Sequence, residues 1–195
     1  VVFLAMITGT ILGLVAGFYG GLADKMIMRV IDIIMALPSI LLAIVVVSVL
    51  GPGLENAVIA VSIVAIPGFT RVVRASVMSE KEKDYVQASK SLGASNLRTM
   101  LREILPNCMA PLIVQGTLGF SDGILNAAAL GFLGLGAQAP TPEWGIMLSD
   151  SRAFIESSPW MVTLPGLCIL IVVLAFNVFG DGLRDALDPR LKGQG

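Results

Sequence analysis

The chain has no histidine, only two cysteines, and charge on just 14% of its 195 residues. Without histidine it lacks the usual general base and the commonest metal ligand. Cys108 and Cys168 stand sixty residues apart in apolar surroundings, with neither a CxxC pair nor a metal-ligand spacing, so both read as packing residues. Nucleophilic and zinc chemistry are thereby set aside, and no cofactor is expected in this chain. Thirteen basic and fourteen acidic residues give a formal net charge of −1, which offers a nucleic-acid partner nothing to hold. No GxxxxGK[ST] phosphate loop is present, so the chain is not expected to be an enzyme that hydrolyses nucleotide.

What is abundant is apolar surface. Hydrophobic residues make up 55% of the chain and the mean hydropathy is +0.86, too little polarity to cover a water-soluble globule. A hydrocarbon layer of about 30 Å needs roughly 20 helical residues. Five stretches approach this, near 1–20, 29–50, 56–74, 112–135 and 158–179. Backbone groups in lipid must be bonded internally, and alternating short strand segments are absent, so the expected class is an all-α, polytopic membrane helix bundle. The first stretch opens without a basic flank or a cleavage site, which points to a spanning helix in a fragment whose upstream sequence is missing. In the second, Arg29 and Asp32 lie one turn apart and are expected to pair. Pro38 kinks that span or starts its buried part, and Gly51-Pro52-Gly53 ends it. Arg71 and Arg74 are expected to snorkel and extend the third. The fourth is rich in glycine, which favours close helix packing. Twelve of the thirteen Lys and Arg fall on one side if the C-terminus is cytoplasmic, leaving Arg152 outside with Trp144 and Trp160.

The segment 75–107 differs from the rest. Between Arg71 and Pro106 lie seven of the thirteen basic residues and four acids, so it faces water. Leu97, Met100, Leu101, Ile104 and Leu105 recur at helical spacing and predict an amphipathic helix that Pro106 stops. Before it, Asp84 to Gly93 predicts a short helix, with Asp84 suited to the N-terminal dipole, Lys90 to the other end and Gly93 to a left-handed cap. A helix tipped with small side chains and one aromatic is shaped to enter a groove in another protein; a plain turn between surface helices is the alternative.

Tyr85-Val86-Gln87-Ala88-Ser89, then Gly93, then Ile104-Leu105-Pro106-Asn107 resemble the EAA loop of permease subunits of ATP-binding cassette importers. Gln87 stands where the family has glutamate and Ser89 where it has its second alanine. Ala36-Leu37-Pro38-Ser39, Ala128 to Gly134, Pro140 to Gly145 and Gly180 to Arg190 extend the likeness over nearly the whole chain, to the C-type permeases of bacterial dipeptide, oligopeptide and nickel importers, the dipeptide branch most of all. The resemblance implies a type I importer permease fold in the bacterial inner membrane, with the N-terminal helix missing here. It also implies a second homologous permease subunit, two cytoplasmic ATPases and a periplasmic substrate-binding protein as partners. Asp84, Tyr85, Gln87, Ala88, Ser89, Leu92, Gly93 and Pro106 then become the residues expected to couple to the ATPase.

Asp122 interrupts the fourth span, where a carboxylate costs about 2.5–3.5 kcal/mol on insertion scales. With Asn126 one turn on, it is expected to line a translocation route and meet a peptide's amino group or amide bonds; a pairing with the companion subunit, or a bend near Gly119 and Gly123, are the alternatives. Arg184, Asp185, Asp188 and Arg190 read as a solvated tail. The turn from Gly134 to Pro142, ahead of Glu143, Trp144 and Asp150, either receives the binding protein or caps the pathway. Nickel chelates and oligopeptides remain alternative substrates, and a non-transporting scaffold or an ion channel the rival classes.

Overall fold

The computed structural model describes residues 1–187, and every regular element among them is helical. In chain order the helices are α1 (Val2–Tyr19), α2 (Gly21–Met35), α3 (Ser39–Leu50), α4 (Leu54–Glu80), α5 (Asp84–Ser91), α6 (Asn96–Arg98), α7 (Met109–Phe132), α8 (Trp144–Asp150) and α9 (Trp160–Leu187). Four helical stretches are long and apolar enough to cross a membrane: α1, α4, α9 and the continuous run Asn96–Phe132. The pair α2 and α3 makes a fifth if taken together, but its halves meet at 93°.

That bend falls at Pro38, where the sequence predicts a kink or the start of the buried part, and it divides the stretch 29–50 between two helices. Pro38 disfavours helical backbone at Leu37 and itself adopts φ −55°, ψ 134° as the residue that caps α3, so the chain turns sharply there. Upstream, Gly20 and Gly21 separate α1 from α2 with φ of 64° and 57°, backbone that other residues rarely adopt. The expected Arg29–Asp32 pair does not form. Asp32 instead accepts from Arg71 at 2.7 Å, and Asp24 receives a two-pronged bond from Arg74 at 2.5 and 2.6 Å. The two arginines expected to snorkel from α4 thus tie α2 to α4.

The run 96–108 also departs from the amphipathic helix that Pro106 was expected to stop. A π-helical turn (Thr99–Ile104) and a 3-10 turn (Leu105–Cys108) lead straight into α7. Pro106 lies in the first turn of that 3-10 segment, where a missing N–H breaks no hydrogen bond, so the helical path continues through it. Met100 and Ile104 are buried, while Leu97 and Leu101 of the same predicted face are exposed. At the far end α9 runs on to Leu187, so Arg184 and Asp185 belong to a helix rather than to a loose tail; Asp188 and Arg190 lie outside the described residues.

The main core forms where α1, α4, α5, the π turn and α7 meet, around Phe69, Val73, Val77, Val86, Ile104 and Leu112. A second cluster joins α3, α4 and Leu130 of α7. What lets α1 and α4 approach is a ridge of glycines on α1 at four-residue spacing. A carbon added at Gly9 would lie 2.5 Å from Phe69 Cβ, one at Gly13 would lie 2.7 Å from Thr70 O and Val73 Cβ, and one at Gly17 would lie 2.8 Å from Val77 Cβ. Small residues at an interface that lipid cannot drive together are the general device for such contacts. By contrast α9 buries only Pro165, Ile169 and Gly180, touching α7 through a stacked Phe120–Phe176 pair and a Ser121 hydroxyl that donates to Val173 O at 3.2 Å.

Gly13→Leu is expected to force the two backbones apart, at a cost of about 1–3 kcal/mol from overpacking. Gly182→Ala meets no atom within 4 Å and serves as the control. Apparent melting temperatures of the purified proteins in detergent check this: only the first variant should fall.

Candidate functional site

The short helix α5 is held to the rest of the chain by one face. Val86 is fully buried in the main core, and it is the only buried residue of α5. On its flanks Tyr85 donates its hydroxyl to Glu80 Oε2 at 2.8 Å and accepts from Asn107 Nδ2 at 3.1 Å, while Ser89 donates to Glu103 Oε1 at 2.5 Å. Asn107 also donates to Glu103 O at 2.6 Å, closing a polar lattice that joins α4, α5 and the turns leading into α7. The Lys90 ammonium lies 4.7 Å above the Phe18 ring, and Lys81 donates to Gly17 O at 2.9 Å, so the end of α1 is tied to the same lattice.

The helix stops in a Schellman motif: Gly93 N–H donates to Lys90 O at 3.0 Å and Ala94 N–H to Ser89 O at 3.1 Å, with Gly93 at φ 87°. Asp84, Gln87, Ala88, Leu92 and Gly93 face outward, Leu92 with 89% of its surface exposed. The sequence-predicted site therefore divides in two. Asp84, Gln87, Ala88, Leu92 and Gly93 present a free outer surface, to which Ser91 is a further exposed contributor that sequence reasoning did not single out. Tyr85 and Ser89 turn toward their own chain, and Gln87 donates back to Glu82 O at 3.1 Å. Pro106 lies in the 3-10 turn behind α5 rather than on the outer surface.

Asp122 and Asn126 lie on another face of the bundle. They share a cavity of about 300 Å³ with Gln115 and Gly119 of the same helix, Gly68 of α4 and Ser39 of α3. Asn126 Nδ2 donates to Asp122 O at 2.8 Å, one turn back. Asp122 is exposed and has no ion-pair partner among the described residues. Gln115 was missed at the sequence level, although its seven-residue spacing from Asp122 puts both on one helical face. Gln115 also opens into a larger cavity, about 800 Å³, lined by Ser76, Ser79, Glu80, Asn107 and Arg184. A polar seam thus runs along α4 and α7 from the neighbourhood of α5 to Asn126, and Arg184 brings the described end of α9 to the α5 side.

Glu143, ahead of α8, is a carboxylate that the sequence places only in an external loop. Its carboxyl fills the hollow left by Gly131 and Gly136, where any side chain would collide with it, and Ala137 N–H donates to it at 3.2 Å. Burial raises its pKa above the ordinary carboxylate value, and this single N–H only partly offsets that. Gly134, at φ 77°, closes α7 with a second Schellman motif, so the loop reaches Glu143 from a fixed helix end.

Burial and the Glu80 hydrogen bond push the Tyr85 phenol up to about 12. Because this lies above the ordinary value of 10.0, the neutral phenol contributes its full stabilisation below pH 10 and loses it as pH rises through about 12. In a Tyr19→Phe background, which leaves Tyr85 as the only tyrosine, an ultraviolet titration of tyrosinate should show that high midpoint. Glu80→Gln should lower it.

The chain is similar to known transport proteins along almost all its length. It is 60% identical to the dipeptide transport system permease protein DppC of Alkalihalophilus pseudofirmus over 96% of this chain and 62% of the relative. The corresponding figures are 60%, 98% and 63% for the di/tripeptide permease DppC of Pseudomonas aeruginosa, and 47%, 98% and 64% for the glutathione permease GsiD of Pectobacterium atrosepticum. It therefore spans less than two thirds of the length of these relatives. A solved chain of the MetNI methionine ABC transporter in an inward-facing conformation superposes with a TM-score of 0.72 at 19% identity, covering 96% of this chain and 91% of that one, which shows the type I permease fold. The family model of binding-protein-dependent transport system inner membrane components matches residues 9–193, and the chain belongs to that family.

Proposed function

We propose that this chain forms the core of a membrane permease subunit in an ATP-driven peptide importer, with dipeptides as the substrate class. The observation that carries the reading is α5: a glycine-capped helix that stands free on its outer face and is bonded through its inner face to α1, α4 and the turns entering α7. The given sequence holds no GxxxxGK[ST] phosphate loop, which supports assigning hydrolysis to separate cytoplasmic ATPases, two of them by the family resemblance. Each would take a protruding helix of this kind into a surface groove. Asp84, Gln87, Ala88, Ser91, Leu92 and Gly93 make the contact. Val86, Tyr85 and Ser89 pass its movement inward, since displacing α5 as a rigid body pulls on three long helices at once.

The polar seam supports a place for the moving substrate. Asp122, Asn126 and Gln115 line one wall of the route, and a second homologous permease supplies the other. A periplasmic binding protein delivers substrate at the end that carries α8. This orientation puts α5 and the described end of α9 in the cytoplasm, and the assembly in the bacterial inner membrane. The dipeptide assignment rests on the 60% identical relatives of that name, because the seam itself holds groups that any peptide backbone can meet.

Ala88→Arg and Leu92→Asp alter only exposed positions and are expected to leave membrane insertion intact. In the reconstituted complete importer each should reduce transport at least about tenfold, the equivalent of roughly 1.4 kcal/mol of coupling, and weaken co-purification of the ATPases. Normal transport by both would refute the coupling role. Asp122→Leu should likewise depress transport with ATPase binding unchanged, whereas full activity would remove Asp122 from the route.

A further inference from the structure

At the end of the bundle that carries Trp144 and Trp160, an open cavity of about 450 Å³ lies between α7, α8 and α9. Leu125, Ala128, Phe132, Leu133, Leu148 and Ile169 line it, and no charged or polar side chain does. From Leu125 to Phe132 the helix rises by about 10 Å, so the cavity is long enough to take the upper part of an extended hydrocarbon chain.

One cation stands at its edge. The Arg152 guanidinium lies 4.6 Å from the centre of the Phe132 ring, the aromatic that forms part of the cavity wall. It donates through Nε to Ser149 O at 3.3 Å and through Nη2 to Ser149 Oγ at 2.9 Å, which leaves three of its five N–H groups without an acceptor among the described residues. No carboxylate pairs with it among the described residues. Around it the chain exposes Trp144, Met147, Phe154, Ile155 and Trp160, an apolar and aromatic collar of the kind that settles at the boundary between headgroups and acyl chains. A planar cation with free donors, held above an apolar slot at that depth, matches a phosphate joined to a hydrocarbon tail.

We propose that this slot is a binding site for an anionic glycerophospholipid, with one acyl chain between α7 and α9 and the phosphate on Arg152. The bound lipid stabilises α8 against the bundle, because Leu148 forms one wall of the slot. Neither the peptide route nor the ATPase contact enters the argument, so the proposal stands apart from the transport reading.

The test is native mass spectrometry of the complete importer, extracted from nanodiscs that contain equal amounts of phosphatidylglycerol and phosphatidylcholine with identical acyl chains. The wild type should retain phosphatidylglycerol over phosphatidylcholine by about fivefold, the effect of a single cation near a membrane surface. Arg152→Gln should bring the two lipids to parity, Arg152→Lys should keep most of the preference, and Ala129→Phe, at a residue that also lines the slot, should fill it and abolish retention of both. Equal retention of the two lipids by the wild type overturns the proposal. So does complete loss of lipid from the wild type, which would assign the slot to a neighbouring subunit, or behaviour of the Gln and Phe variants that matches the wild type. The wild-type comparison decides the matter even if a variant fails to assemble.

Discussion

The backbone contact between α1 and α4 is the constraint on which the other elements depend. Lipid tails are as apolar as leucine, so nothing like the hydrophobic effect in water presses these helices together; close packing has to do it. Gly9, Gly13 and Gly17 remove every side chain from the facing ridge, and Phe69, Val73 and Val77 fill the space. Once α4 is seated, its last turns carry Glu80 to the point where Tyr85 and Lys83 find it, at 2.8 and 2.6 Å. The same contact fixes Arg71 and Arg74, so the two acids of α2 are captured by a helix that is already in place.

The lattice behind α5 has a mechanical character that its individual bonds do not suggest. The Lys83–Glu80 pair taken alone is worth little, because solvent screens its exposed lysine and ordering two long side chains costs entropy. Here a phenol, an amide, a serine hydroxyl and two glutamates, one of them also through its backbone oxygen, are linked around a completely buried valine, so α5 is held at several points at once. Stiffness, more than strength, is what a coupling element needs: a helix that slid over its own core would absorb a push instead of passing it on.

The all-α membrane class was legible because charge-free runs of about 20 residues are set by bilayer thickness and by the backbone's need for internal hydrogen bonds. The cap at Gly93 was legible because positive φ has few other tenants. Where the sequence failed, the missing information was long-range. Arg29 and Asp32 are sensible partners one turn apart, but Arg71 sits thirty-nine residues beyond Asp32 and reaches it first. The glycine ridge on α1 announced tight packing without naming α4. Tyr85 and Ser89 could not be assigned an inward direction, since α5 has eight residues and a single buried one, and that residue alone sets its rotation. Pro106 misled for a local reason: a proline stops a helix in its interior and begins one in its first turn, and only the intervening π turn decides which applies. Glu143 looked like an ordinary loop acid because the hollow that holds it is made of glycines on both sides of a helix end.

The sharp angle ahead of Ser39 bears on where water can stand in the bilayer. At 1.5 Å per residue the twelve residues of α3 extend about 18 Å, well short of a hydrocarbon slab of about 30 Å. The unbonded amides at the start of α3 therefore lie at a depth where bare lipid would leave them unsatisfied. Ser39 opens into the same hollow as Asp122, Asn126 and Gln115, so the start of α3 and that carboxylate share one polar-lined chamber. The break in one helix and the carboxylate on its neighbour thus open onto common space, and a polar-lined crevice in the flank of the bundle follows from a single proline.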